Sequence, residues 1–243
     1  MTGGSRRDGD EVLSQCPLFA GLGQEQLHDA LGRGSVRQVA RKDYFFRQGE
    51  PAVALYVLQT GRVKLTKLSL DGQQVILRML APGDMFGGVM ALGDREYPAG
   101  AEALTAASAV CWSRDALEDL FGRLPGLARN ALGMLAERMA EMQERFRELA
   151  TERVGQRVAR ALVRLVRQAG KRVEGGVLID LPLSREDLAA ISGTTLFTVS
   201  RLLSEWESRG LVATGRQRVL VTDPHGLVSI AEDLGSAGDE DGA

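Results

Sequence analysis

An α+β fold, with an N-terminal roll of short strands, one long helix and a C-terminal pair of short helices, is predicted from three observations. Residues 35–112 alternate short apolar runs with Gly- and Pro-containing turns. Residues 125–169 keep a helical apolar spacing for longer than one globular helix usually runs. Residues 181–212 set two helical patterns on either side of Ser192-Gly193, and two β-like runs joined by a basic turn follow. Short strands at near-regular spacing indicate a small, jelly-roll-like β-roll. Two helices with a glycine turn between them describe a helix-turn-helix.

At 243 residues the chain is long enough for two domains with their own cores. Its 44% hydrophobic and 26% charged content is that of an ordinary soluble protein. No apolar run approaches the ~18 residues that span a bilayer, so no membrane association is expected. Arg6 and Arg7 have no apolar segment behind them, so no signal peptide is expected and the location is read as cytoplasmic. A net charge of -2 does not mark a nucleic-acid binder. Affinity for DNA has to come from local clusters, of which Arg153, Arg157, Arg160, Arg164, Arg167, Lys171 and Arg172 form one. Cys16 and Cys111 belong to no C-x-x-C pair, so no metal site is expected and both read as reduced thiols. With only His28 and His225, and no phosphate loop, no catalytic constellation stands out; an enzyme is not expected.

Taken in order, residues 1–11 read as disordered. Residues 16–22 form an apolar turn into a helix with Leu27, Ala30 and Leu31 inward. Strand-like runs follow around Tyr44-Phe45-Phe46, Leu55–Leu58, Val63–Thr66, Gln74–Leu77, Ala101–Thr105 and Ser108–Trp112. Asp71-Gly72 is a favoured hairpin turn, and Ala81-Pro82-Gly83-Asp84 is another turn. Arg123-Leu124-Pro125 opens the long helix, since proline is accepted in a first turn. Leu132, Leu135, Met139, Met142, Phe146 and Leu149 are spaced 3, 4, 3, 4 and 3 apart. That is a heptad seam and predicts a parallel homodimer. Helical character continues to Gly170, so a break and an interdomain hinge are expected at about residues 150–155, with Thr151 capping the second helix. Residues 172–180 read as a hairpin.

Ser184 and Asp187 fit a loose capping box, followed by Leu188, Ala189 and Ile191 as inward residues. Gly193 supplies the turn, and Thr194 or Thr195 caps the next helix. Val199, Leu202, Leu203 and Trp206 make one apolar stripe, and Gly210 ends the helix. Residues 211–214 and 219–222 read as strands joined by Gly215-Arg216-Gln217-Arg218, a wing whose basic turn can approach phosphates.

At these residues the chain resembles the Crp/Fnr family of bacterial transcription regulators. The family pattern L-S-x-x-D-L-A stands here as residues 183–189, G-T-x-x-x-T-V-S-R-x-L as residues 193–203, and E-x-x-G-L-V as residues 207–212. The order R-Q-G-E-P, G-R-V-K-L, D-G, P-G-D-M-F-G and A-E-A-L in the first half resembles the family's cyclic-nucleotide-binding β-roll. The resemblance covers roughly residues 14–230. It implies an effector β-roll over 12–122, a dimerisation helix over 123–150 and a winged helix-turn-helix over 151–234, with an acidic, disordered tail at 235–243. Its implied partners are double-stranded DNA, a second copy of the chain and RNA polymerase. The implied DNA-binding residues are Ser184, Arg185, Thr194, Thr195, Phe197, Thr198, Ser200, Arg201 and Ser204 on the helices and Arg216 and Arg218 in the wing. Arg201 takes the place of the family's base-reading arginine. Phe197 departs from the family, whose known members carry glutamate there; a phenyl ring packs on a thymine methyl or turns inward. Leu196 also replaces a polar residue of some relatives.

The family's effector pocket falls on Gly87, Gly88, Val89, Met90, Pro98, Ala99, Met142 and Gln143. Gly88 stands where the cAMP-binding branch has its ribose-binding glutamate, and Pro98 where it has the phosphate-binding arginine. Activity is therefore expected to be modulated through the β-roll without cAMP. Cys16 and Cys111 fall near two of the four cysteine positions of the iron–sulfur branch, which is too few for a cluster in one chain. Residues 46–52 and 97–99 resemble the nitrogen-oxide-responsive branch, where haem has been proposed; His28 is the candidate ligand. The alternative function is a ligand- or redox-sensing protein (haem, nitric oxide) with weak or non-specific DNA binding.

Overall fold

Antiparallel pairing organises the first half of the chain, because its strands are short and joined by tight turns. The computed structural model describes residues 11–69, 74–88 and 96–234. The Asp71-Gly72 turn, Val89, Met90 and both chain ends lie outside the described residues. The chain forms two compact units that divide within one helix, between Met142 and Gln143.

The first unit opens with a helical segment, α1, described from residue 11 to 15, so the expected disorder does not extend to Glu11. A 3-10 turn at Pro17–Phe19 and helix α2 (Gln24–Gly32) follow. Among the described residues, eight strands form two four-stranded sheets. One has the order β1 (Ser35–Val39), β8 (Ala107–Ser113), β3 (Ala54–Thr60), β6 (Met85–Phe86). The other has the order β2 (Tyr44–Phe46), β7 (Gly100–Ala103), β4 (Val63–Leu68), β5 (Gln74–Leu80).

The roll is filled by aromatic rings. Phe45, Phe46, Tyr56, Phe86 and Tyr97 pack together with Ala101, Ala103, Ala107 and Ala109. Small side chains on β7 and β8 leave the volume that the rings occupy. Phe46 and Tyr97 stack with centroids 3.7 Å apart. The buried Tyr97 hydroxyl donates to Ala54 O at 2.8 Å and accepts from Ala54 N at 3.0 Å. A second core joins Leu13, Cys16, Leu18, Phe19, Leu27 and Ala30 to Val57, Val110 and Trp112. The Trp112 indole N–H donates to Ala30 O at 2.7 Å, satisfying its one polar atom.

Helix α3 (Arg114–Arg123) completes that core with Leu117 and Leu120. It has no counterpart in the sequence reading, although Ser113 caps it by accepting from Ala116 N. Helix α4 (Pro125–Thr151) then presents two stripes. Leu127, Ala131 and Met134 pack on the second core. The heptad residues Leu132, Leu135, Met139, Met142, Phe146 and Leu149 are all exposed, from 46% at Leu135 to 74% at Phe146.

The second unit is built on α5 (Val154–Ala169), which buries Val158, Ala159, Ala161, Leu162 and Leu165. The break after α4 falls at residues 152–153. Thr151 is not the expected cap: its hydroxyl donates back to Arg147 O, and Arg153 N instead donates to Gln156 Oε1 at 2.8 Å. Strands β9 (Gly170–Val173) and β10 (Gly176–Ile179), with β11 (Val212–Gly215) and β12 (Arg218–Val221), form one sheet of order β11-β12-β10-β9. Helices α6 (Arg185–Ser192) and α7 (Leu196–Ser208) lie between them in sequence. Helix α8 (Pro224–Ala231), capped by Asp223 and packed on α5, was also missed by the sequence reading.

Candidate nucleic-acid interface

The site begins with two caps. The Ser184 hydroxyl accepts from Asp187 N at 3.0 Å and donates to the Asp187 carboxylate at 2.6 Å, while that carboxylate accepts from Ser184 N. This satisfies free amides of the first turn of α6. Thr195, rather than Thr194, caps α7 and accepts from Thr198 N at 3.2 Å. The hydroxyls of Ser184 and Thr195, both expected at the DNA, are thus already engaged in folding.

Between the helices, Gly193 has φ 62°, the left-handed conformation that glycine adopts without strain. A Cβ here would also stand 3.0 Å from Leu149 Cδ2. Arg157 on α5 holds this turn from below: its guanidinium donates to Ser192 O and Gly193 O, each at 3.2 Å, and to Glu152 O at 2.9 Å.

Arg157 is one of several cations spent internally. Arg164 donates to Glu148, and Arg160 and Arg147 both pair with Glu152 at 2.9 and 2.8 Å. The carboxylates of Glu144 and Glu152 hold Arg147 well above the usual guanidinium range. Of the arginine cluster read as a source of DNA affinity, Arg157, Arg160 and Arg164 are engaged in ion pairs and carbonyl contacts, while Arg153, Arg167, Lys171 and Arg172 are exposed. Sequence alone gives no sign of this, because the partners lie on other elements.

Helix α7 buries Val199, Leu202, Leu203 and Trp206. Those four positions orient everything else on the helix. Arg201, Ser204 and Phe197 are exposed, and Ser200 and Thr198 are half-buried. Phe197 does not turn inward; it is 79% exposed. Leu196 is 44% exposed. The first turn of α7 contains no acidic residue, so the positive end of its dipole is uncompensated.

The wing turn is Arg216-Gln217, with Gly215 and Arg218 paired across it. Gln217 has φ 55° and its carbonyl accepts from Leu183 N at 3.1 Å, which ties the wing to the start of α6. Arg185 reaches Thr214 Oγ1 at 3.4 Å, and Thr214 N donates to Glu207 at 2.8 Å. The guanidinium groups of Arg201, Arg216 and Arg218 belong to exposed residues and have no hydrogen-bond or ion-pair partner among the described residues.

The described effector positions differ in burial. Gly87 and Gly88 are half-buried, Ala99 is buried, and Pro98, Met142 and Gln143 are exposed. Neither Gly88 nor Pro98 carries a side-chain carboxylate or cation. The neighbouring roll interior is aromatic, and burial pushes the Tyr56 phenol up to about 12. His28 is exposed on α2. Cys16 is fully buried, and Cys111 contacts Ser35, with 3.1 Å between Sγ and the Ser35 hydroxyl oxygen. Among the described residues, no group of three or more His, Cys, Asp or Glu could hold a metal, and no helix is long and apolar enough to cross a membrane.

Residues 36–123 match the cyclic nucleotide-binding domain family, and residues 156–230 match the Crp-like helix-turn-helix domain family. The chain is 34% identical over 215 residues to the cyclic AMP receptor protein of Thermus thermophilus, covering 88% of this chain and 96% of that one. It is 27% identical over 218 residues to the CRP-like cAMP-activated global transcriptional regulator of Mycobacterium tuberculosis, covering 90% and 97%. Among solved structures, FixK2 from Bradyrhizobium japonicum is similar with a TM-score of 0.72 at 27% identity, covering 81% of this chain and 96% of that one.

Proposed function

The chain belongs to the Crp/Fnr family of transcription regulators, DNA-binding proteins with a helix-turn-helix, and from that premise we propose that it binds an inverted-repeat operator as a homodimer, under control of a β-roll that does not answer to cAMP. The observation that carries this reading is the distribution of cations. The arginines of α5 that face Glu148, Glu152 and the helix turn are engaged internally. Arg201, Arg216 and Arg218, on the open face of α7 and the wing, are not. A major groove admits one helix, whose first turns meet base edges.

Arg201 is assigned to a guanine, to whose O6 and N7 a guanidinium donates together. Ser200 and Ser204 lie beside it. Arg185, Arg216 and Arg218 contact phosphates, which position the protein without reading sequence. Thr194, Thr195 and Thr198 act through the geometry of the α7 N-terminus, whose free amides suit a phosphate. Dimerisation is assigned to the exposed seam of α4. A parallel coiled coil along it places two copies of α7 on half-sites about 34 Å apart. RNA polymerase is the protein partner that family membership implies at a promoter. No enzymatic role is assigned.

Support for a regulator without cAMP comes from Gly88 and Pro98, which carry no groups for ribose or phosphate. No cofactor is assigned in its place.

Selection from a random-sequence duplex library, followed by affinity measurement on the enriched site, tests the proposal. Arg201→Ala is expected to lower discrimination at one guanine per half-site by roughly 5- to 150-fold. Unchanged affinity together with unchanged sequence preference would defeat the assignment.

A further inference from the structure

We propose that Phe197 is a specificity-determining residue that reads the 5-methyl group of one thymine in each half-site. This rests on the DNA-binding reading above and deepens it.

Among the described residues, Phe197 is the most exposed of the large apolar side chains, at 79%. Its position leaves no internal use for it. Val199, Leu202, Leu203 and Trp206 carry the buried stripe of α7, and Phe197 is outside that stripe. It sits in the first turn, one residue after Leu196 and four before Arg201. Residues four apart share a helix face with Cβ atoms roughly 5–6 Å apart. The phenyl ring and the Arg201 guanidinium therefore project from the same open surface.

Chemistry decides what such a ring can recognise. It has no hydrogen-bond donor or acceptor for a base edge. The major groove displays one apolar group, the C5 methyl of thymine, which every other base lacks. A ring that is almost wholly hydrated when free removes both surfaces from water when it covers that methyl. Since adjacent base pairs are about 3.4 Å apart, the thymine falls within two base pairs of the guanine assigned to Arg201.

The test uses the full chain and an operator enriched from a random-sequence duplex library. Each thymine of the enriched site is replaced by uracil, which removes only the methyl, and affinity is read by fluorescence anisotropy. One thymine per half-site, within two base pairs of the Arg201-dependent guanine, is expected to lose about four-fold on replacement. At the same position 5-methylcytosine is expected to bind more tightly than cytosine. In Phe197→Ala, thymine and uracil bind alike. Phe197→Leu keeps a preference for thymine. Both substitutions leave the core of α7 intact, because the side chain they alter is exposed. Enrichment of a defined site with no uracil-sensitive thymine overturns the role of Phe197 and leaves the DNA-binding reading standing. A uracil effect that persists in Phe197→Ala assigns the methyl to another residue and overturns it too. Failure of the library to converge on any site overturns both.

Discussion

Arg164 on α5 grips Glu148 on α4 through both carboxylate oxygens: its Nη1 donates at 2.6 and 2.9 Å. The Glu148 side chain is only 7% exposed, against 35% for Arg164. A carboxylate this far from water is tolerable only while its cation is in place. The pair fixes α5 to the last turns of α4, and α5 in turn carries Arg157, which holds the Ser192-Gly193 turn.

Removing either partner of that pair should loosen the second unit. Glu148→Ala and Arg164→Ala are each expected to cost about 1–3 kcal/mol, the range for orphaning a buried partner. The double variant should cost little more than either single one, because the interaction is lost once. Hydrogen exchange of α5 and α6 amides, compared across the four proteins, measures this. Additive losses would show that the two residues act separately.

Gly193→Ala meets two penalties at one position. The left-handed backbone costs an L-residue about 1–2 kcal/mol, and the new methyl must push Leu149 Cδ2 away from 3.0 Å. Faster exchange at the start of α7 and weaker operator binding are expected together. Ala190→Gly, in the middle of α6, is the control: it adds helix-propensity cost of about 1 kcal/mol without altering the turn.

The exposed seam of α4 predicts the oligomeric state. Phe146, 74% exposed, shares the seam with Met139, Met142 and Leu149, all of them exposed. Phe146→Glu puts like charges together in a parallel coiled coil. The wild-type mass from light scattering is expected to be that of a dimer and the variant's that of a monomer. The helix itself should persist, since glutamate is a good helix former.

Cys16 sets a limit at high pH. Burial pushes its thiol from an ordinary value of 9.0 up to about 11. Between those values the unfolded chain has lost the proton that the folded chain retains. Stability is therefore unaffected below about pH 9 and falls as pH rises toward 11, by roughly 3 kcal/mol in all. Cys16→Ala should flatten this part of the stability–pH curve, at the expense of a small cavity. In the native protein at pH 8, iodoacetamide should leave Cys16 unmodified, and unfolding should expose it.

Local chemistry made much of the fold legible. The Ser184–Asp187 box, the glycine turn at 193, the Thr195 cap and the wing turn at 216–217 are all interactions within a few residues of sequence. The heptad spacing of α4 likewise marked its exposed seam. Helices α3 and α8 were missed even though Ser113 and Asp223-Pro224 are ordinary cap signals, because their short apolar patterns do not stand out beside longer ones.

Sequence by itself thus determined where the chain turns, caps and alternates, and so the order of β-roll, long helix and helix-turn-helix. Only the tertiary structure decided which charges remain available. Arg157, Arg160, Arg164 and Arg201 are the same residue type on similar helices, yet three are satisfied by Glu148, Glu152 and the backbone of the turn, and Arg201 is left open. Tertiary packing likewise turned Phe197 outward, because the inward positions of α7 were filled by Val199, Leu202, Leu203 and Trp206. A residue's local neighbours set its backbone conformation; its partners across the fold set whether its side chain has anything left to offer a ligand.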